Sequence, residues 1–172
     1  MSTHYNTFHQ YATGELFVAF REWINMNGSG RVVLGPVNVR LQEQARLIQP
    51  DLFIAMGDNW KGDGEVFKGA PDLVAEVLNE DSYRIDKVVK YISYEQMGVK
   101  EYWIINPKMR SVEVYSLSNK EYVLVGEYRD DELITSPLLR GLELQVNAIF
   151  PQSVQYNDEV PASAIGETAV PA

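Results

Sequence analysis

The sequence predicts an α/β (α+β) fold built on a mixed sheet, and three observations predict it. Apolar residues recur at helical spacing near the amino terminus. Two short segments, residues 72–78 and 101–105, are almost continuously apolar, as strands buried on both faces are. Two alternating runs, at 112–115 and 122–128, are joined by a short polar link, the pattern of a hairpin.

The elements follow in order. Over residues 9–26, Leu16, Phe17, Phe20, Trp23 and Ile24 make one face of an amphipathic helix, which Asn27, Gly28, Ser29 and Gly30 end. Residues 31–35 and 37–41 read as short strands, the second alternating cleanly. In 47–56 an apolar strand is interrupted by Pro50 and Asp51, and proline is tolerated where a strand begins or bends. Residues 57–69, rich in Gly, Asp and Lys, predict an exposed turn. The apolar strand 72–78 holds one inner carboxylate, Glu76, and Asp81 or Ser82 can cap the helix that follows. That helix spans 83–97, with Ile85, Val88, Val89 and Ile92 as its core stripe and Gly98 as its stop. After strand 101–105, with Tyr102 and Trp103 as core, and the 112–128 hairpin, residues 134–150 add a last pair of short elements. Residues 1–150 therefore form one domain, and 151–172, rich in Pro, Ser, Ala and acids without a period, form a flexible acidic tail.

Composition removes several function classes. The chain has 172 residues, 45% apolar and 23% charged, as an ordinary globule has. With no cysteine it has no disulfide framework, thiolate zinc site or cysteine nucleophile, and with two histidines it cannot build a three-histidine metal site. No signal peptide or membrane-length apolar run is present, so a soluble cytoplasmic protein without a membrane partner is expected. No Ser-His-Asp order, P-loop or dinucleotide glycine motif occurs, and no nucleotide cofactor is expected; Gly28, Ser29 and Gly30 precede a strand rather than a helix. The formal charge of −9, from 15 basic and 24 acidic residues, argues against a grip on nucleic acid. Three of those acids, Asp158, Glu159 and Glu167, fall in the tail, and Arg21, Arg31, Arg40, Arg46, Lys61, Lys68, Lys87 and Lys90 are available to line one face.

Two acidic residues stand out by position. Asp51 heads one apolar strand and Glu76 lies inside another, where burial costs about 3 kcal/mol or more unless a partner compensates. If the two strands are neighbours, both carboxylates reach one end of the sheet, and two hard oxygen ligands beside open positions suit Mg²⁺. On the next helix Asp86, Lys90 and Tyr94 follow at i, i+4 spacing, which sets a cation and two polar groups on one face. Plainer readings exist for each: Asp51 as a turn residue, Glu76 in a structural salt bridge to Arg46 or Lys90, Asp86 and Lys90 as a surface ion pair, and His9 as a polar-face or satisfied core residue. Asp58, Asp63 and Glu65 lack calcium-loop spacing and read as solvated.

The run Pro50-Asp51, then Ala70-Pro71-Asp72-Leu73-Val74-Ala75-Glu76-Val77-Leu78, then Asp86, Lys90 and Tyr94, then Gly98-Val99-Lys100-Glu101-Tyr102-Trp103-Ile104-Ile105-Asn106-Pro107, closely resembles the Uma-two family. That bacterial group of restriction-endonuclease-like proteins sits in the PD-(D/E)XK nuclease superfamily. Ser136-Pro137-Leu138-Leu139-Arg140-Gly141-Leu142-Glu143-Leu144 resembles its closing segment, His9 with Gly28 and Gly30 fits its first-helix spacing, and the likeness covers roughly residues 9–150.

The resemblance implies a restriction-endonuclease-like mixed sheet flanked by helices, with a C-terminal β-hairpin extension. It also implies a Mg²⁺-dependent (or Mn²⁺-dependent) endonuclease acting on DNA. Asp51 and Glu76 would be the metal ligands with the main-chain carbonyl of Val77, and Lys90 would be the catalytic lysine. Asp86 would orient Lys90 and Tyr94 would buttress it. The superfamily's lysine usually lies two residues after the second acid, where this chain has Leu78; in this family it has moved to the next helix. Relatives usually carry a further N-terminal segment with an acidic turn and strand, and its absence here bears on one sheet edge and on part of the substrate groove. Cutting both strands of a duplex needs two sites, hence a homodimer. The alternatives are a non-catalytic nuclease-fold binding or assembly module, and a nuclease acting on RNA.

Overall fold

A computed structural model describes residues 7–40, 47–79 and 85–150, with only the backbone of Ile85 and Asp86. Helix α1 (Thr7–Asn27) is followed by β1 (Gly30–Leu34), β2 (Asn38–Arg40), β3 (Leu52–Met56), β4 (Val66–Lys68) and β5 (Leu73–Val77). A π-helical turn (Ile85–Lys90) runs directly into α2 (Tyr91–Met97), then β6 (Glu101–Asn106), β7 (Ser111–Ser118), β8 (Glu121–Arg129) and a short α3 (Val146–Ile149).

Six strands form one mixed sheet in the order β1-β3-β5-β6-β7-β8. Only the central pair β5/β6 is parallel, as the helical crossover between them requires; β1/β3, β3/β5, β6/β7 and β7/β8 are antiparallel. This mixed α/β sheet with helices on both faces is the restriction-endonuclease-like topology. The β7–β8 hairpin extends the same sheet rather than standing apart from it.

The two-residue alternation of the strands sorts side chains into two cores. On one face Leu52, Ile54, Ala75, Trp103 and Ile105 pack against Leu16, Phe20 and Ile24 of α1 and against α3. Phe20 meets Trp103 edge-on at 5.1 Å. On the other face Phe53, Val74, Tyr102 and Ile104 pack against Tyr94 of α2, Val39 and Phe67. Both central strands are thus buried on each side, which is why they read as continuous apolar runs.

Residues 38–40 form the expected short strand, but outside the main sheet: β2 pairs in parallel with β4 in a separate two-stranded sheet. Two expectations need correction. That β4 lies inside the Gly-rich stretch expected to be an exposed turn, and its Phe67 is buried against Phe53. The stripe of the second helix is also inverted: Val88, Val89 and Ile92 are exposed, while Tyr91 and Tyr94 face the sheet. The cause is the π-helical turn, whose wider winding carries side chains off the face that a 3.6-residue period projects. Gly98 does end the helix, at φ 81°, donating its N–H to the carbonyls of Glu95 and Tyr94. The expected caps Asp81 and Ser82, the side chain of Ile85 and the 151–172 tail lie outside the described residues.

Candidate active site

The backbone brings Asp51 and Glu76 together. The β3/β5 register pairs Leu52 with Ala75, so Asp51, one residue before β3, meets the carboxyl end of β5. The Asp51 N–H donates to Glu76 Oε2 (3.3 Å), and Asp51 Oδ2 accepts the Val77 N–H (2.9 Å). Gly35 holds this corner from the other side. Its N–H donates to the Asp51 carbonyl (2.7 Å), and a Cβ there would lie 2.5 Å from the Pro50 carbonyl oxygen. Only glycine lets the backbones approach so closely.

Each face of the sheet sends a basic side chain to this end. From α1, the Nε2 of buried His9 lies 3.1 Å from Asp51 Oδ2. From the opposite face, Lys90 Nζ lies 2.8 Å from Glu76 Oε1 and donates to the Gln49 carbonyl (3.5 Å). The hydroxyl of buried Tyr94 donates to the same Glu76 oxygen (2.7 Å). Lys90 and Tyr94 lie four residues apart and meet one carboxylate, so the spacing read from sequence does bring them to a common target. Glu76 is fully buried, whereas the Asp51 and Lys90 side chains keep 12% and 18% of their surface, so the cluster opens to solvent on one side.

Burial pushes the Asp51 carboxyl up, but the hydrogen bond and charge of His9, the Val77 N–H and the charge of Lys90 outweigh it and hold the group below its ordinary value. It is therefore ionised at neutral pH. The arrangement offers two carboxylates, an ammonium and a phenol at the carboxyl end of the parallel pair. Among the described residues no group of three or more histidines or carboxylates gathers as a metal cage. Mg²⁺ needs none: it binds through one or two carboxylates and keeps several waters, and the all-oxygen donors of Asp51, Glu76 and the Val77 carbonyl fit it.

The structure brings Asp51, Glu76, Val77, Lys90, Tyr94 and His9 to one place. The side chain of Asp86 and all of Arg46 lie outside the described residues. Asp63 is a turn residue, accepting the N–H groups of Glu65 and Val66 and pairing with Lys68 at 2.8 Å. Sequence reasoning missed what His9 does, since a lone histidine on an amphipathic helix carries no signal of its target. It also missed two other buried carboxylates. Asp72 accepts from Met56 N (2.7 Å), Asn59 Nδ2 (2.8 Å) and Lys100 Nζ (2.7 Å). Glu101 accepts from Trp103 Nε1 (2.7 Å), Ser136 Oγ (2.5 Å) and Leu138 N (2.9 Å). Both lie at the amino ends of β5 and β6, the opposite end of the sheet from Glu76.

Among the described residues no helix is long and apolar enough to cross a membrane. Comparison with known proteins places these features in a wider set. The family model of Uma2, described as "Putative restriction endonuclease", matches residues 1–147. No curated protein matches the chain. Among solved structures, the chain is similar to one described as a putative nuclease from Anabaena variabilis, with a TM-score of 0.70 and 16% sequence identity. The likeness covers 87% of this chain and 84% of that one, and at this identity it bears on the fold alone.

Proposed function

The chain belongs to the Uma2 family, and on that premise we propose that it is a Mg²⁺-dependent (or Mn²⁺-dependent) endonuclease that hydrolyses DNA phosphodiester bonds in the cytoplasm. One observation carries the reading. Asp51, Glu76 and Lys90, from a loop, a strand and a helical turn, meet at the open end of the sheet with Lys90 Nζ 2.8 Å from Glu76.

Asp51, Glu76 and the Val77 carbonyl would hold the ion, which when bound supplies Lewis-acid stabilisation of charge building on the phosphate. The rest falls to the chain's own side chains. Lys90 is poised to donate to the attacking water or to a non-bridging phosphate oxygen, and its positive charge offsets what develops there. Tyr94 fixes the Glu76 carboxylate, and His9 with the Val77 N–H fixes Asp51, so neither acid has to reorganise when substrate arrives. Cleavage of both strands would take two such sites in a homodimer.

Purified protein with Mg²⁺ or Mn²⁺ should nick plasmid DNA, and Asp51→Asn, Glu76→Gln and Lys90→Ala should each lower the rate by about 100-fold or more. Nicking that survives Glu76→Gln overturns the assignment. The charge of −9 favours a second reading, a retired nuclease fold serving as a binding module. A Mg²⁺ titration separates the two: a working site binds the ion and melts at a higher temperature with it, and a retired one does not shift. Parallel DNA and RNA substrates decide between a DNA enzyme and an RNA enzyme.

A further inference from the structure

Among the cations that the sequence makes available to line one face, the fold separates two sets. Lys68, Lys87 and Lys90 are held in ion pairs with Asp63, Glu113 and Glu76. Arg21 and Arg31 instead line one groove of about 410 Å³, together with Asn25, Trp60 and residues 30–33 of β1. None of the groove's lining residues is acidic. A second groove of equal size on the other flank of α1 is lined by Glu15, Glu22 and Glu143, with no cation. The two flanks of one helix therefore carry opposite charge in a chain that is acidic overall.

The positive groove also has a stacking surface and an open edge. The Arg31 guanidinium lies over the Trp60 ring, 4.9 Å from its centroid, and Trp60 keeps 37% of its surface exposed. The ring is braced by Phe67, edge-on at 5.7 Å, and by Gly62, where a Cβ would meet it at 2.7 Å. β1 is the outermost strand on its side of the sheet, so the outer polar groups of its backbone pair with no strand among the described residues. Arg31 stands four residues before Gly35, whose N–H holds the Asp51 carbonyl. At about 3.3 Å per residue that is about 13 Å along the strand.

Resting on the nuclease reading, we infer that this groove binds an unpaired nucleic-acid strand flanking the cleavage point, with phosphates on Arg21 and Arg31 and a base against the Arg31–Trp60 stack. Guanidiniums suit phosphate oxygens, and an aromatic platform engages a base only when that base is free of its duplex partners. A duplex would offer the groove its phosphates alone.

The test is fluorescence anisotropy with the full chain in EDTA, which blocks cleavage, using a labelled 20-nucleotide single strand and the matching duplex as probes. The double variant R21Q/R31Q should weaken single-strand binding about tenfold or more and shrink the salt slope by about 1.4, two phosphate contacts' worth. W60A should weaken it at least about fivefold, with less effect on the duplex. Unchanged affinity in R21Q/R31Q, or no binding of either probe by the wild-type chain, overturns the inference. Equal losses of W60A on both probes overturn the stacked base. Should W60A unfold, the arginine variant still decides. If R21Q/R31Q binds normally while nicking depends on Asp51, the groove falls and the nuclease reading stands. If binding needs the arginines while nicking ignores Asp51, the reverse holds.

Discussion

The sheet buries two glutamates completely, Glu76 on β5 and Glu101 on β6, and they are built for opposite ends. Glu76 faces an ammonium at 2.8 Å and shares a solvent-open corner with a second carboxylate. Glu101 is closed in by neutral donors: an indole, a hydroxyl and a main-chain N–H, the last two from the closing segment at Ser136 and Leu138. It pins that segment to the sheet, and Trp23 ties the same segment to α1 by donating to the Arg140 carbonyl at 3.0 Å. Burial alone therefore does not mark a site. What separates the two is a counter-charge that is itself partly solvated, together with a neighbouring acid, and these are the features that chemistry on a charged substrate needs.

The largest effect expected of this contrast comes from stranding the charge. Lys90→Ala removes the ammonium from a carboxylate with no solvent exposure, and breaking a buried pair in this way costs about 3 kcal/mol. Denaturant unfolding in EDTA should show that loss. Glu76→Gln placed on top of it should recover part of the stability, because the stranded charge is gone. A double variant no more stable than Lys90→Ala would mean that Glu76 does not rely on Lys90, and the contrast with Glu101 would collapse.

Glu101→Gln should cost less, about 1–2 kcal/mol at neutral pH, because one N–H then faces the amide it replaced an acceptor for. Its signature is in the pH dependence. Burial raises the Glu101 carboxyl above its ordinary 4.5, against the smaller pull of Ser136, Trp103 and Leu138. The folded state then holds this proton longer than the unfolded chain does. Its contribution is complete below pH 4.5 and is lost as pH rises through the elevated folded value. Asp51 runs the other way: its carboxyl sits below 3.8, so its contribution is present above that pH and lost on acidification through the lower folded value. Stability curves against pH should lose the downward slope above 4.5 in Glu101→Gln, and the acid-side fall below 3.8 in Asp51→Asn. Identical curves for the two variants would erase the difference between the ends of the sheet.

How much of this was legible follows from what a sequence can encode locally. Glu76 was visible because it interrupts a strand otherwise made of Val, Leu and Ala, and Asp51 because proline and aspartate head an apolar run. Lys90 and Tyr94 were visible through their spacing. Glu101 and Asp72 were not, since each stands at the end of its run, where a polar residue is unremarkable and its donors are supplied by distant segments such as Ser136 and Asn59. β4 escaped because three residues show no period and only Phe67 among them is buried. The basic groove was hidden for a related reason, as Arg21 and Arg31 are brought beside Trp60 only by the β1/β3 pairing and the loop after β3.

The smallest effect expected tests the helix that carries Lys90. Sequence periodicity puts Val88 and Ile92 in the core, and the structure puts Tyr91 and Tyr94 there instead. The trade has a physical logic. Tyr94 brings both a packed ring and a hydroxyl for Glu76 Oε1, which an aliphatic residue cannot supply, and the π-helical turn rotates Lys90 inward at the same time. Exposed substitutions away from such features change stability by no more than about 0.5 kcal/mol each. Val88→Ser and Ile92→Ser should therefore leave the unfolding midpoint nearly unmoved, while Tyr94→Phe costs about 1 kcal/mol by withdrawing a donor from a buried carboxylate. Serine variants that unfold the protein at every concentration would restore the aliphatic stripe to the core. A loss that deepens on dilution would instead mean that a second copy of the chain covers this face, since only association makes stability depend on protein concentration.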